Sequence, residues 1–130
     1  MSAHLTDAAD DGLPLTGERT VPGLTVENYW FRRHEVVYRW CADKYAGQDV
    51  LEAGCGEGYG ADLIASTARR VVAVDYDAAT IAHVGTRYPR VEVLAANLAA
   101  VPMPDASVDV VVNFQVIEHL WDQPQFITEC

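Results

Sequence analysis

Between Val50 and Gly60 the chain reads Val-Leu-Glu-Ala-Gly-Cys-Gly-Glu-Gly-Tyr-Gly, with glycine at 54, 56, 58 and 60 and acids at Glu52 and Glu57. Glycine gives up the most backbone freedom on folding. Four of them this close together are tolerated where the chain must bend sharply or lie against something. Between an apolar run and a helix-compatible stretch, that something is typically a nucleotide-like ligand at a helix amino terminus. Asp75 closes a second apolar run, Arg70-Val-Val-Ala-Val-Asp75, where a carboxylate can accept hydrogen bonds from both hydroxyls of a ribose. A strand-end aspartate can also simply form a turn. Glu118 and His119 offer an acid beside an imidazole, a pair suited to taking a proton from a hydroxyl or to holding a metal that acidifies one.

The surroundings of the glycines narrow the ligand. Both dinucleotide and S-adenosylmethionine (SAM) sites use such a loop, and Gly56-Glu-Gly58-Tyr-Gly-Ala61 can be forced onto the dinucleotide pattern. A pyrophosphate is repelled by Glu52 and Glu57, whereas SAM has no phosphate and carries a sulfonium and an ammonium, which carboxylates attract. Glu52 can also orient the loop by accepting hydrogen bonds from its backbone N–H groups, a role compatible with ligand binding. Tyr76 follows Asp75 and could lie against an adenine.

Elements that position these groups can be read from periodicity. Residues 49–54 predict a first strand, 59–68 its following helix, and 70–75 a strand buried on both faces. Residues 78–88 are helix-compatible until Pro89, 91–95 and 107–114 read as third and fourth strands, and Asp122 caps a helix beginning near Pro124. Upstream, Tyr29, Arg33, Val36, Val37 and Trp40 recur at helical spacing and predict an amphipathic helix whose polar Tyr29, Arg32, Arg33 and His34 could line a pocket lid. His4 and His83 read as surface residues. The pattern is α/β, a Rossmann-like doubly wound parallel sheet. Residues 1–17 predict a flexible tail, and 18–130 one ligand-binding domain. The chain stops inside a helix after its fourth strand, which suggests the amino-terminal part of a longer protein.

The 130 residues are 50% hydrophobic, enough for one core. A net charge of −10 with nine basic residues argues against nucleic acid as partner. Three cysteines without CxxC spacing suggest free thiols in a reducing compartment. Neither a signal peptide nor a membrane-spanning run is visible, so a cytoplasmic location is expected.

Taken together, Glu52-Ala-Gly-Cys-Gly-Glu-Gly58, Val72-Ala-Val-Asp-Tyr76, Ala96-Asn-Leu98 and Pro104-Asp-Ala-Ser-Val-Asp-Val-Val112 resemble the amino-terminal part of a class I SAM-dependent methyltransferase. More closely, Gly17-Glu-Arg-Thr, Glu27-Asn-Tyr-Trp-Phe-Arg-Arg-His34 and Asn113-Phe-Gln-Val-Ile-Glu-His-Leu-Trp121 resemble actinobacterial methyltransferases associated with methylated sugar polysaccharides. The resemblance implies that Gly54 and Gly56, with Glu52, serve the methionine end of SAM, Asp75 the ribose, Tyr76, Asn97 and Leu98 the adenine, and Gln115 the amino-acid part. Many relatives have Asp where Asn97 stands. Relatives that methylate quinone precursors use a Glu-His like Glu118-His119, with an earlier acid, to hold a divalent metal such as Mg2+; here Gln115 occupies the place of that acid. His119 is then a candidate base or metal ligand, unless Glu118 merely caps a helix and His119 packs at its first turn.

The expected activity is O-methylation of a small-molecule or oligosaccharide acceptor, a sugar hydroxyl foremost. A quinone-precursor methyltransferase, an NAD-dependent oxidoreductase and a non-catalytic fragment are the alternatives. A homodimer is compatible with each.

Overall fold

The computed structural model describes residues 28–114 and 116–130. The tail expected at 1–17, the stretch up to residue 27 and Gln115 lie outside the described residues, as do the side chains of Asn28, Tyr29, Trp30, Phe31 and Glu118. The elements are α1 (Asn28–Lys44), β1 (Asp49–Ala53), α2 (Tyr59–Ala65), β2 (Arg70–Asp75), α3 (Ala78–Arg87), β3 (Glu92–Ala95), β4 (Val110–Val112), a 3-10 turn (Ile117–His119) and α4 (Gln123–Glu129).

All four strands are parallel, in the order β3-β2-β1-β4. The chain steps outward from β1 through β2 to β3, then returns to the other side of β1 as β4. That reversal creates a crevice above the carboxyl ends of β1 and β4, the position where doubly wound sheets gather their ligands.

Strand alternation explains the two cores. Val50, Val71 and Ala73 pack with Tyr38 and Cys41 of α1, Ile64 of α2 and Val84 of α3. On the other face Leu51, Ala53, Val72 and Val74 pack with Leu98 and Phe126. Each fully buried Val or Ile contributes roughly 1.5–3 kcal/mol. The same period of two puts Glu52 on the face of Val50, toward α1, and not on the side of the sheet covered by α4.

α1 departs from its expected face. Val36, Val37 and Trp40 are exposed, whereas Tyr38, Cys41 and Ala42 are buried and His34 and Tyr45 half-buried. The stripe that meets the domain is therefore 34, 38, 41 and 45, spaced i, i+4, i+7, i+11. It docks on α2 at Gly60, where a Cβ would run into the Tyr38 ring.

β4 is shorter than the stretch 107–114 suggested. Asp109 turns its carboxylate to the Asp49 N–H, 2.9 Å away, and Asn113 donates its side-chain amide to the Ala53 carbonyl at 3.0 Å. These polar residues bracket the three-residue strand. At the amino ends of the strands Arg69 also grips Asp49, and Arg70 pairs with Glu92 at 2.5 Å.

Candidate active site

Above the carboxyl ends of the strands lies an open cleft of about 890 Å³, large enough for a nucleoside joined to an amino acid. Each wall is the segment that follows one strand: Gly54–Glu57 after β1, Asp75–Asp77 after β2, Asn97–Ala99 after β3, and Phe114 with Val116 after β4.

The glycine loop is pinned from below. The N–H groups of Gly54 and Cys55 both donate to the Val74 carbonyl, at 2.7 and 3.2 Å, so the loop starts as a continuation of the β1–β2 ladder. Gly54 has φ 81°, and a Cβ there would meet Val116 Cγ2 at 2.5 Å. Both the left-handed backbone and the crowding demand glycine.

Asp75 sits at the tip of β2 and lines the cleft. Its Oδ2 accepts a long 3.4 Å bond from the Gly56 N–H, and its Oδ1 one of 3.2 Å from the Asp77 N–H. The carboxylate thereby joins the glycine loop to the start of α3. Asp77 caps that helix, accepting from the N–H groups of Ala79 and Thr80 and from Thr80 Oγ1 at 2.6 Å.

Glu52 differs from its expected role as a clasp on the loop amides. It is 1% exposed, lies beneath the cleft wall and not in it, and neither of its oxygens completes a hydrogen bond with a described residue. Asp75 makes the amide contact instead. Burial raises the Glu52 carboxyl to about pKa 8; the Tyr38 hydroxyl beside it pulls the other way, and the Asp75 charge adds to the rise. Tyr38 is pushed well above the usual phenol range, first by burial and then by Glu52. The Cys55 thiol is raised by the same two causes, which makes it inert as a nucleophile.

Tyr76, Asn97, Leu98 and His119 line this cleft with different degrees of engagement, while Gln115 and the Glu118 side chain lie outside the described residues. Tyr76 is 83% exposed at the rim. Asn97 uses its side-chain oxygen to hold the Ala99 N–H at 2.9 Å, and Leu98 is buried in the core while touching the cleft. His119 lines it from the 3-10 turn. Among the described residues no group of three or more His, Cys, Asp or Glu side chains could hold a metal. Glu118 and Gln115 lie outside that search, and nothing else in the fold speaks for a divalent cation.

Several lining residues escaped the sequence reading. Tyr38, Tyr59 and Phe114 form an edge-to-face aromatic wall, with centroids 5.7 Å (Tyr38–Tyr59) and 5.3 Å (Tyr38–Phe114) apart. Behind the lining, His83, expected at the surface, has a side chain only 12% exposed and lies 3.3 Å from Glu57. For Asp77 and Thr80 a signal existed, since an Asp three residues before a Thr at a helix start is a capping pattern. The described lining residues include four carboxylates, Glu57, Asp75, Asp77 and Asp122, and neither lysine nor arginine. Such a cleft suits a cation and opposes a phosphate.

Residues 51–130 match the model of a protein family described as a methyltransferase domain. The chain belongs to that family. A probable S-adenosylmethionine-dependent methyltransferase of Mycolicibacterium smegmatis is 72% identical over 124 residues, a match covering 95% of this chain and 48% of that protein. The chain therefore spans about half the length of the curated relatives it matches. Among solved structures, a TehB-like SAM-dependent methyltransferase from Corynebacterium glutamicum superposes with TM-score 0.62 at 20% identity, covering 79% of this chain and 63% of that one. The N-methyltransferase NodS from Bradyrhizobium japonicum, in complex with S-adenosyl-L-homocysteine (SAH), gives TM-score 0.65 at 20% identity, covering 85% and 59%. These two likenesses establish the Rossmann-like α/β fold of this methyltransferase domain. No helix among its described residues is long and apolar enough to cross a membrane.

Proposed function

We propose that the cleft binds SAM and that the protein carries out methyl transfer to a hydroxyl, foremost that of a sugar in a methylated polysaccharide. The observation that carries the cofactor is the lining itself: four carboxylates with no lysine or arginine among the described residues, at the switch point of the sheet. A dinucleotide would bring a pyrophosphate against Glu57 and Asp75. NodS, on the same fold, was solved with SAH, the product that SAM leaves behind.

In this reading Asp75 holds the ribose hydroxyls, because it ends β2 with its carboxylate at the cleft. The exposed Tyr76 ring offers a face to the adenine, and Asn97 and Leu98 border its edge. Gly54 and Gly56 let the backbone approach the methionine end, with Glu52 beneath them. Gln115, outside the described residues, belongs by its sequence position beside the amino-acid part.

SAM supplies an electrophilic methyl on a positively charged sulfur. The acceptor oxygen attacks that carbon, the carbon–sulfur bond breaks toward sulfur, and the hydroxyl proton must leave. His119, which lines the cleft from the 3-10 turn, is the group assigned to take it. The sugar hydroxyl as acceptor rests on the sequence resemblance of the segments Gly17–Thr20, Glu27–His34 and Asn113–Trp121 to polysaccharide-associated methyltransferases.

Calorimetry on the full chain should show SAM and SAH binding and no NAD binding; tight NAD binding with indifference to SAM would refute the assignment. With a methylated-sugar precursor as acceptor, His119→Ala should lower kcat by about 10²-fold or more while leaving SAM affinity within twofold.

A further inference from the structure

Glu52 is unusual among the acids of this domain. Its side chain is fully buried on the α1 face of β1, and both oxygens lack a hydrogen-bond partner among the described residues. Among the described residues, the titratable groups around it are Tyr38 and Cys41 on α1, Cys55 in the glycine loop and Asp75 at the end of β2; β4 sets Val112 opposite it. No cation is among these groups. An isolated carboxylate in such surroundings holds its proton instead of its charge.

Directly above, the cleft accepts a ligand whose charge changes during the reaction. SAM has a sulfonium, an ammonium and a carboxylate, a net charge of plus one. Its demethylated product has lost the sulfonium and is neutral overall. Resting on the SAM reading of the cleft, we propose that Glu52 is a specificity-determining residue that senses this difference: it keeps its proton when the cleft is empty or holds product, releases it when the cationic methyl donor binds, and so favours donor over product.

The proton balance closes over one turnover. Donor binding sends the Glu52 proton to solvent; methyl transfer removes the positive charge from sulfur, and Glu52 recovers a proton when only the neutral thioether remains. Tyr38 provides the route, since its ring lines the cleft and its hydroxyl lies beside the carboxyl. Glu52 acts across the loop without touching the ligand, so it is a positioning charge and not a catalytic residue. Its carboxyl, raised by burial to about pKa 8, is mostly protonated at neutral pH, which leaves close to one proton available for release.

The test is titration calorimetry of the full chain at pH 7.0 in two buffers of different ionisation enthalpy, with SAM and then SAH. Close to one proton should be released per SAM and close to none per SAH, and SAM affinity should rise about tenfold between pH 6.0 and 7.0 while SAH affinity changes by less than twofold. Glu52→Gln mimics the protonated state and is expected to fold. In that variant the SAM-specific proton release should vanish, and the ratio of SAM to SAH affinity should no longer vary with pH. Equal release for both ligands, or unchanged release in Glu52→Gln, would show that histidines at the cleft are responsible and would overturn the proposal. Failure of SAM to bind at all would instead remove the cofactor assignment, and this proposal with it.

A ligand-free measurement runs alongside. The folded carboxyl is raised above its unfolded value, so protons favour the folded state: its stabilising effect is complete below about pH 4 and lost as the pH rises toward 8. The empty native protein should lose thermal stability over that interval relative to Glu52→Gln. Parallel melting profiles would contradict a buried, protonated Glu52, and if the variant fails to fold, a native Tm that stays flat from pH 5 to 8 does the same.

Discussion

The two ends of the central sheet treat charge in opposite ways. At the amino ends, acids are matched with arginines: Asp49 with Arg69, Glu92 with Arg70, and nearby Asp62 with Arg90 at 2.6 Å. At the carboxyl ends, Asp75, Asp77, Glu57 and Asp122 face a cleft without a lysine or arginine among its described residues, and Glu52 lies buried beside the Tyr38 hydroxyl with neither oxygen completing a hydrogen bond among the described residues. One end is neutralised within the chain. The other gathers its acids around a cleft whose described lining supplies no lysine or arginine; there Asp77 and Asp122 hold helix amides and Glu57 lies 3.3 Å from His83.

This contrast can be broken from either side. The largest effect is expected at the cleft: Asp75→Ala should weaken SAM and SAH binding by about 100-fold, because the proposed charge-assisted hydrogen bonds to two ribose hydroxyls would be lost together with the link between the glycine loop and α3. Calorimetry measures it, and a loss under threefold would detach Asp75 from the ligand.

Next comes the packing that supports the cleft without contributing charge. Gly60→Val places a side chain against the Tyr38 ring and should destabilise the fold by about 1–3 kcal/mol, lowering Tm by several degrees at every ionic strength. An unchanged melting curve would mean that α1 can shift away freely.

The smallest effect belongs to the neutralised end. Arg69 is solvent-exposed, so Arg69→Ala should lower Tm slightly, with most of the loss disappearing in 1 M salt, and should leave SAM affinity untouched. A change in SAM binding there would show that the two ends are coupled.

How legible each region was in the sequence follows from where its constraints originate. β1 and β2 were readable because strands buried on both faces must be apolar along their length, as Arg70 to Asp75 is. The glycine loop and Asp75 were readable because a local backbone demand fixed the residue types. α1 was misread: counting apolar residues selects Val36, Val37 and Trp40, but the stripe that packs contains His34 and Tyr38, polar-tipped side chains with much hydrophobic area. β4 was overextended because Asp109 and Asn113 look like strand residues until their partners on β1, about sixty positions earlier, are known. The local contacts of Glu52 were not legible, since only the packing of α1 shows that its neighbour is Tyr38. His83 escaped for a related reason, its proximity to Glu57 being set by the way α3 lies against the loop.

The short β4 strand has a consequence for how the domain assembles. Asp49 pairs opposite Arg70 and Val72 opposite Glu92, whereas Val50 pairs opposite Val110, closing a chain loop about three times longer. That costs about 1 kcal/mol more in closure entropy, and only three residues repay it. The first three strands can therefore condense from near neighbours, with β4 joining late. Amide exchange in this chain is expected to be faster at Val111 than at Val72. Phe114 and Val116 follow β4 into the cleft wall, so the strand that pairs across the longest stretch of chain also positions that wall.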